Sequence, residues 1–259
     1  MKYVNTDFSI YCFLLISIPT NTTCSISSFL LILKSRNQDC SNLKIGITNL
    51  KGGVGKSTIT QNLAVCLAHM GYKTVIVDTD TNQNSLSWYA ARDEDLPNIN
   101  VVGVTESEAL NKSIENLHKD YDIVLIDGTP NLSKMATRII LASNILLVPI
   151  RPGAQDFRTM QEFINRYNEA KEFRNEIPAF FILNEFSGQK KVHEGILKQI
   201  KATFEIPVLK TKINSRVAYT EVSVLGQGVY EYTDIKAKQE IVSLTKEVLN
   251  HAKKLKLIG

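Results

Sequence analysis

The chain has 259 residues, of which 44% are hydrophobic and 22% charged, an ordinary balance for a globular protein that can bury one sizeable α/β core. Its formal net charge of +4 permits a local basic face but is too mild to identify a nucleic-acid partner. No C-x-x-C pair, internal repeat or low-complexity tract is present, so zinc, disulfide and repeat frameworks have no support.

Residues 1–43 stand apart from the remainder of the chain. Two apolar runs, Phe8 to Pro19 and Ile26 to Leu33, are separated by Thr20-Asn21-Thr22-Thr23-Cys24. Neither reaches the roughly 18 apolar residues of a spanning helix. Met1-Lys2 before the first run superficially resembles a secretory signal. Three readings stay open: translated upstream sequence from a misassigned start, a disordered or interfacial extension, or a membrane anchor. Cys12, Cys24 and Cys40 lie in this segment, and Cys66 reads as a small core residue.

From Lys44 the pattern is regular. Leu43 to Thr48 reads as a buried strand, and Ile59 to Met70 has helical spacing. Between them runs Lys51-Gly52-Gly53-Val54-Gly55-Lys56-Ser57-Thr58. Strand, glycine loop and helix in that order are the setting of a phosphate loop. The glycines let backbone N–H groups curl around a phosphate, and the helix N-terminus adds its dipole and unpaired donors. Residues 51–58 are thus the expected nucleotide-binding loop. Lys56 is placed to reach the β- and γ-phosphates, and the Ser57 hydroxyl to sit on Mg²⁺.

Lys73 to Asp78 and Tyr121 to Asp127 are apolar runs that each end on an acid. Parallel strands buried on both faces read this way, and ligands sit beyond their carboxyl ends. Asp78 and Asp127 are therefore expected at the same crevice as Gly55, with Asp127 as the acid that holds Mg²⁺ directly or through water. Further strands are expected near 100–104, 145–150, 178–184 and 206–210, with helices between them, including Asp156 to Phe173 and Lys191 to Phe204. Such alternation predicts a mostly parallel sheet with helices on both faces, the three-layer α/β P-loop NTPase architecture. A last helix over Ile235 to Leu255 carries Ile241, Leu244, Val248, Leu249, Ala252 and Leu255 near one face, a stripe expected to dock on the core.

The loop departs from the general pattern, which wants a glycine where Leu50 stands, and it carries a second lysine, Lys51, at its front. It resembles the deviant loop Lys-Gly-Gly-x-Gly-Lys-Ser/Thr of the ParA/MinD family of dimeric ATPases. The resemblance implies that Lys51 reaches across a homodimer interface to the partner's ATP. Asp78-Thr79-Asp80 resembles the family's Asp-x-Asp switch, which implies that Asp78 lies near Mg²⁺ and Asp80 orients the attacking water. The family often continues with Pro-Gln, whereas this chain has Thr81-Asn82-Gln83, leaving open whether Asn82 or Gln83 lines the switch. Weaker pieces come later in order: Trp88 to Arg92, Leu146 to Pro152 with Asp156, Phe180 to Asn184, Asn214 to Tyr219 and Gly226 to Val229. Asn184 ends a strand on an amide able to read adenine. The resemblance runs from about Lys44 to the C-terminus. It implies one ATPase domain over 44–259, of the small form without an N-terminal helix-turn-helix.

Two functional classes compete. As a ParA-type partition ATPase, the protein would form an ATP dimer that binds DNA without sequence preference. A centromere-binding ParB- or ParG-like partner would stimulate its slow hydrolysis, and it would be cytoplasmic and nucleoid-associated. Candidate DNA contacts are Arg216, Lys253 and Lys254, with Lys256 beside them; a solvated helix end accounts equally for the lysines. As a MinD-like ATPase, it would insert its C-terminal end into a membrane, but residues 252–259 are short and lack a bulky aromatic. A regulator that binds ATP and a protein cargo is a third reading. The related iron–sulfur dimers need cysteines beyond Asp127, and this chain has none there.

Overall fold

The computed structural model describes residues 42–130, 134–153, 156–174, 176–187 and 191–259. The extension expected over 1–43 lies outside this set up to residue 41, as does the side chain of Asp156. The first strand, β1, is Leu43–Ile47, starting one residue before the expected boundary. After it come α1 (Lys56–His69), β2 (Thr74–Asp78), α2 (Asn84–Ala90), β3 (Asn100–Gly103), α3 (Ser107–Leu117), β4 (Ile123–Asp127) and α4 (Lys134–Ala142). The second half holds β5 (Ile145–Ile150), α5 (Asp156–Lys171), β6 (Ala179–Phe186), α6 (Lys191–Thr203), β7 (Val208–Asn214), α7 (Ala218–Val224), a 3₁₀ turn (Val229–Glu231) and α8 (Ile235–Lys254).

All seven strands join one parallel sheet in the order β3-β2-β4-β1-β5-β6-β7. Its central strands are almost wholly buried and mostly apolar because both faces are covered, with Lys44 half-buried in β1 and an acid at the end of β2 and of β4. Alternation along each strand sorts the side chains. Ile76, Ile123 and Leu125 face a core shared with Ile59 and Leu63 of α1 and Ile241, Leu244 and Val248 of α8. Val75, Val77, Val124 and Ile126 face the opposite way, against Leu110 and Ile114 of α3 and Ile139 of α4. A third cluster packs Phe163 of α5 and Ile200 of α6 on Val148 and Phe181. The result is the expected three-layer architecture.

The stripe on α8 docks as read from its spacing, with one correction. Leu255 lies just past the helix end and is 41% exposed, because the chain turns there and Ile258 closes the core in its place. Asp234 caps α8 by accepting from the N–H groups of Lys236 and Ala237, each at 3.0 Å. Along β7, Glu247 accepts from Lys210 N and Thr211 N, and Glu240 from Asn214 N. These carboxylates occupy donors of an edge strand that would otherwise be open to pairing.

Candidate functional site

Parallel register sets the position of the acids. Ile47, Asp78 and Asp127 pair across β1, β4 and β2, so the two carboxylates emerge beside the start of the phosphate loop. The loop is fastened at both ends. Asn49 donates to Pro149 O at 2.7 Å and accepts from Lys51 N at 3.0 Å, tying the loop's entry to β5. Asn184, two residues before the end of β6, donates from Nδ2 to Val54 O at 2.8 Å. Gly55 has φ +90°, and a Cβ there would come 2.1 Å from Asn184 Nδ2, so only glycine permits this turn and this contact together.

α1 begins at Lys56 without a side-chain cap, leaving its first N–H groups for a ligand. Lys56 is 6% exposed and donates from Nζ to Lys51 O at 2.8 Å. Burial pushes its ammonium down to about 8, against the pull of Asp127 and Asp80. Lys51 stands half-buried at the loop's front.

Asp127 is buried. It accepts from Ser85 Oγ at 2.7 Å and from the Ser57 hydroxyl, while Thr79 Oγ1 donates to its backbone carbonyl at 2.7 Å. Burial pushes its carboxyl up to about 7, helped by Asp78 and opposed by the two serine hydroxyls and Lys56. Asp78 is also buried and raised by burial. The N–H groups of Asp80 (3.1 Å), Ser85 (2.9 Å) and Leu86 (3.2 Å) donate to it and offset part of that rise. Its carboxylate thereby holds the whole switch from Asp80 to the start of α2, a role the sequence did not reveal. Among the described residues no group of three His, Cys, Asp or Glu is arranged to hold a metal alone. Ser57 with two buried, under-neutralised carboxylates fits instead a hard cation that keeps its waters and takes other ligands from a substrate's phosphates.

A cleft of about 680 Å³ opens over this floor, lined by Gly53, Gly55, Lys56, Ser57, Thr58 and Asp80 among others. Asn82 lines it too, whereas Gln83, at φ +49°, is turned toward Gly103, so Asn82 is the amide at the switch. A second cleft of about 500 Å³ continues past Gly55 and Thr58 and is lined by Asn184, Asn214, Arg216 and Tyr219.

The weaker sequence pieces meet in space. Trp88 is buried and donates to Gln227 O at 3.0 Å. Arg92 stacks on Trp88 and donates to Gly226 O and both oxygens of Glu231. A Cβ on Gly226 would lie 2.3 Å from Arg92 N. The stretch after the switch is thus bolted to the segment after α7.

The three candidate DNA residues are not brought together. Arg216 donates twice to Glu240 Oε1, at 3.0 and 2.7 Å, and that carboxylate also receives Asn214 and Tyr219. Arg216 is an ion-paired member of a network beside the second cleft. Lys253 and Lys254 are exposed at the C-terminal end of α8. His251, one turn earlier, stacks on Phe180 at the start of β6, so these lysines belong to the sheet end opposite the acids. Sequence reading also missed Asn49, Ser85 and Glu185, and it gave Arg151 no role beyond its place in the Leu146 to Pro152 piece. An amide just past the first strand and two residues before Lys51 is a signal for the first; nothing in Asn84 to Ala90 marks Ser85 apart from Ser87, so the second gives none.

A family model for the CobQ/CobB/MinD/ParA nucleotide binding domain matches residues 45–229. The chain belongs to that family. The sporulation initiation inhibitor protein Soj of Bacillus subtilis is 23% identical over 245 residues, spanning 79% of this chain and 97% of Soj. The septum site-determining protein MinD of Helicobacter pylori is 26% identical over 267 residues, spanning 80% and 98%. Among solved structures, MinD of Aquifex aeolicus superposes with TM-score 0.68 at 19% identity, covering 80% of this chain and 97% of its own. Cobyrinic acid a,c-diamide synthase of Mycobacterium smegmatis, with bound ATP analogue and magnesium, gives 0.64 at 17%, covering 82% and 96%. The fold and the ParA/MinD-type nucleotide-binding domain are thereby established.

Proposed function

We propose that the protein is a Mg²⁺-dependent ATPase of the ParA partition type, with residues 44–259 as its ATPase domain. The observation that carries the reading is convergence: Lys56 and Ser57, Asp80 and Asn82 line one cleft from two segments, and Asp127 from a third stands behind Ser57, all at a loop that begins with Lys51. The triphosphate would lie along the N–H groups of residues 52–58, and Lys56 would exchange the Lys51 carbonyl for phosphate oxygen. Adenine would enter the second cleft, where Asn184 and Tyr219 offer polar edges. Magnesium, held by Ser57 with Asp127 and Asp78 behind it, would neutralise charge on the β- and γ-phosphates. Asp80, at the cleft wall, would orient water in line with the terminal phosphorus. The water oxygen forms the new bond as the bond from phosphorus to the bridging oxygen breaks, and the proton leaves with the phosphate.

Lys51 would complete the site of a second copy, so ATP closes a homodimer and hydrolysis opens it. The dimer would bind DNA through phosphate contacts, and a centromere-binding ParB- or ParG-like partner would supply what slow intrinsic turnover lacks. The location that follows is cytoplasmic and nucleoid-associated. Arg216, beside the nucleotide cleft, is better sited for a nucleotide-gated DNA contact than Lys253 or Lys254.

The competing membrane-positioning reading has less support. Ile258 of the C-terminal end is packed into the core rather than presented to a bilayer, and the preceding lysines sit at the end of a helix docked on the sheet. The test is binding of the full chain to random-sequence duplex DNA with ATP, with ADP and with neither, across a salt series. ATP-dependent binding that weakens steeply with salt supports partitioning. Sedimentation with anionic liposomes in ATP, without DNA binding, would replace it with the membrane reading.

A further inference from the structure

The nucleotide cleft contains an ion pair that none of the proposed catalytic or binding roles uses. Arg151 follows the last residue of β5, and Glu185 is the penultimate residue of β6, next to Asn184. Both line the same cleft as Lys56 and Asp80. Arg151 Nη2 bonds Glu185 Oε1. The guanidinium also lies over the crest of the phosphate loop: a Cβ on Gly53 would come 3.9 Å from Nη2. Among the described residues its Nε is buried without an acceptor, so Arg151 has donors beyond those Glu185 takes.

A carboxylate in a cleft built for a polyanion opposes binding unless a cation screens it. Here the cation and the carboxylate are about two-fifths exposed, at 38% and 43%, so their pairing is weak and exchangeable. Glu185 is also held at φ +51°, a conformation that non-glycine residues seldom adopt. It keeps that conformation next to the Asn184–Val54 clamp on the loop.

From these contacts we infer that Arg151 is a terminal-phosphate contact within its own subunit, parked on Glu185 while the cleft is empty and transferred to the γ-phosphate when ATP arrives. Glu185 is then a positioning residue that makes the site discriminate ATP from ADP. Only a ligand with a third phosphate reaches far enough over Gly53 to draw the guanidinium away. The guanidinium fork suits phosphate oxygens better than a point charge does. This assignment rests on the ATPase reading and adds a cis cation to it.

The test uses the full chain at a concentration where light scattering reports a single subunit, so that contacts from a partner do not contribute. Affinities for a non-hydrolysable ATP analogue and for ADP are measured in the wild type, Arg151→Ala, Arg151→Lys, Glu185→Gln and the Arg151→Ala/Glu185→Gln pair. Loss of one charge-assisted phosphate contact predicts about ten- to a hundredfold weaker binding of the analogue in Arg151→Ala, with ADP changed less than about twofold. Arg151→Lys should recover part of the loss. Glu185→Gln should tighten the analogue by about threefold or more, and that gain should vanish in the double variant. Equal effects on analogue and ADP, or a Glu185→Gln gain that survives removal of Arg151, would overturn the assignment. Wild-type protein that binds neither nucleotide would instead overturn the ATPase reading and this assignment with it. Circular dichroism melting identifies any variant that fails to fold, and Arg151→Gln then takes the place of Arg151→Ala.

Discussion

Lys56 and Lys254 carry the same ammonium, yet the molecule treats them in opposite ways. Lys56 is buried at the C-terminal end of the sheet, donates to a backbone carbonyl, and is pushed down to about 8 by burial. Lys254 is exposed at the other end of the sheet, where the α8 dipole favours any cation. A buried charge costs several kcal/mol unless something offsets it; here Asp127, Asp80 and the Lys51 carbonyl offset part of that cost, and a phosphate would offset more. A solvated charge costs almost nothing and implies nothing by itself. The lysine that is costly to keep in place is the one with a function to account for it.

Substitutions should separate the two lysines. The largest effect is expected at Lys56. Lys56→Ala should weaken ATP binding by at least about a hundredfold in calorimetry, since it removes a charge-assisted contact in a desolvated site. Lys253→Ala with Lys254→Ala should leave that affinity within about twofold. Asp80→Ala comes next: turnover should fall by about a hundredfold or more while ATP still binds, because an oriented water is lost and the loop is not. Normal turnover in that variant would remove Asp80 from the mechanism. Lys51→Ala should spare binding to the single subunit and abolish the ATP dimer, and light scattering that still shows the dimer would refute the trans role.

Stability gives smaller and more diagnostic shifts. Glu240→Ala strands donors of Asn214, Arg216 and Tyr219, and should cost about 2 kcal/mol in urea unfolding. Asp127→Asn should act the other way on nucleotide-free protein, raising its stability by about 1 kcal/mol near pH 8. The sign follows from linkage. The folded carboxyl titrates at about 7, above its ordinary value of 3.8, so its contribution is fully present below about pH 4 and is lost as pH rises through 7. Asp78 is shifted in the same direction. Melting temperature without nucleotide should therefore fall from pH 5 to pH 8 in the wild type, and less so in Asp127→Asn. An equal fall in both would assign the pH dependence elsewhere.

The inner strands were legible because strands covered on both faces are written as nearly unbroken apolar runs, as in Ile123 to Ile126. β7 was the poorest match, read as 206–210 and found at Val208–Asn214. Its lysines at 210 and 212 look solvated, and its edge is completed by Glu240 and Glu247 from a helix some thirty residues later. The loop at 51–58 was legible because its glycines and lysine are tied to local backbone. Asp78 was legible as an acid in the crevice, but not as the anchor of the switch, because its three donors lie two to eight residues ahead with no side-chain signature. Arg151 and Glu185 pair across two strands, and neither residue announces the other in sequence. Arg216 was legible as a basic residue, whereas its ion pair with Glu240 needed the packing of α8 beside β7.

The most direct test of the account is the molar mass of the full Asp80→Ala chain in Mg²⁺-ATP, in Mg²⁺-ADP and without nucleotide, measured by light scattering. The account predicts a stable dimer in ATP alone, lost again when Lys51→Ala is added. One mass under all three conditions would contradict it.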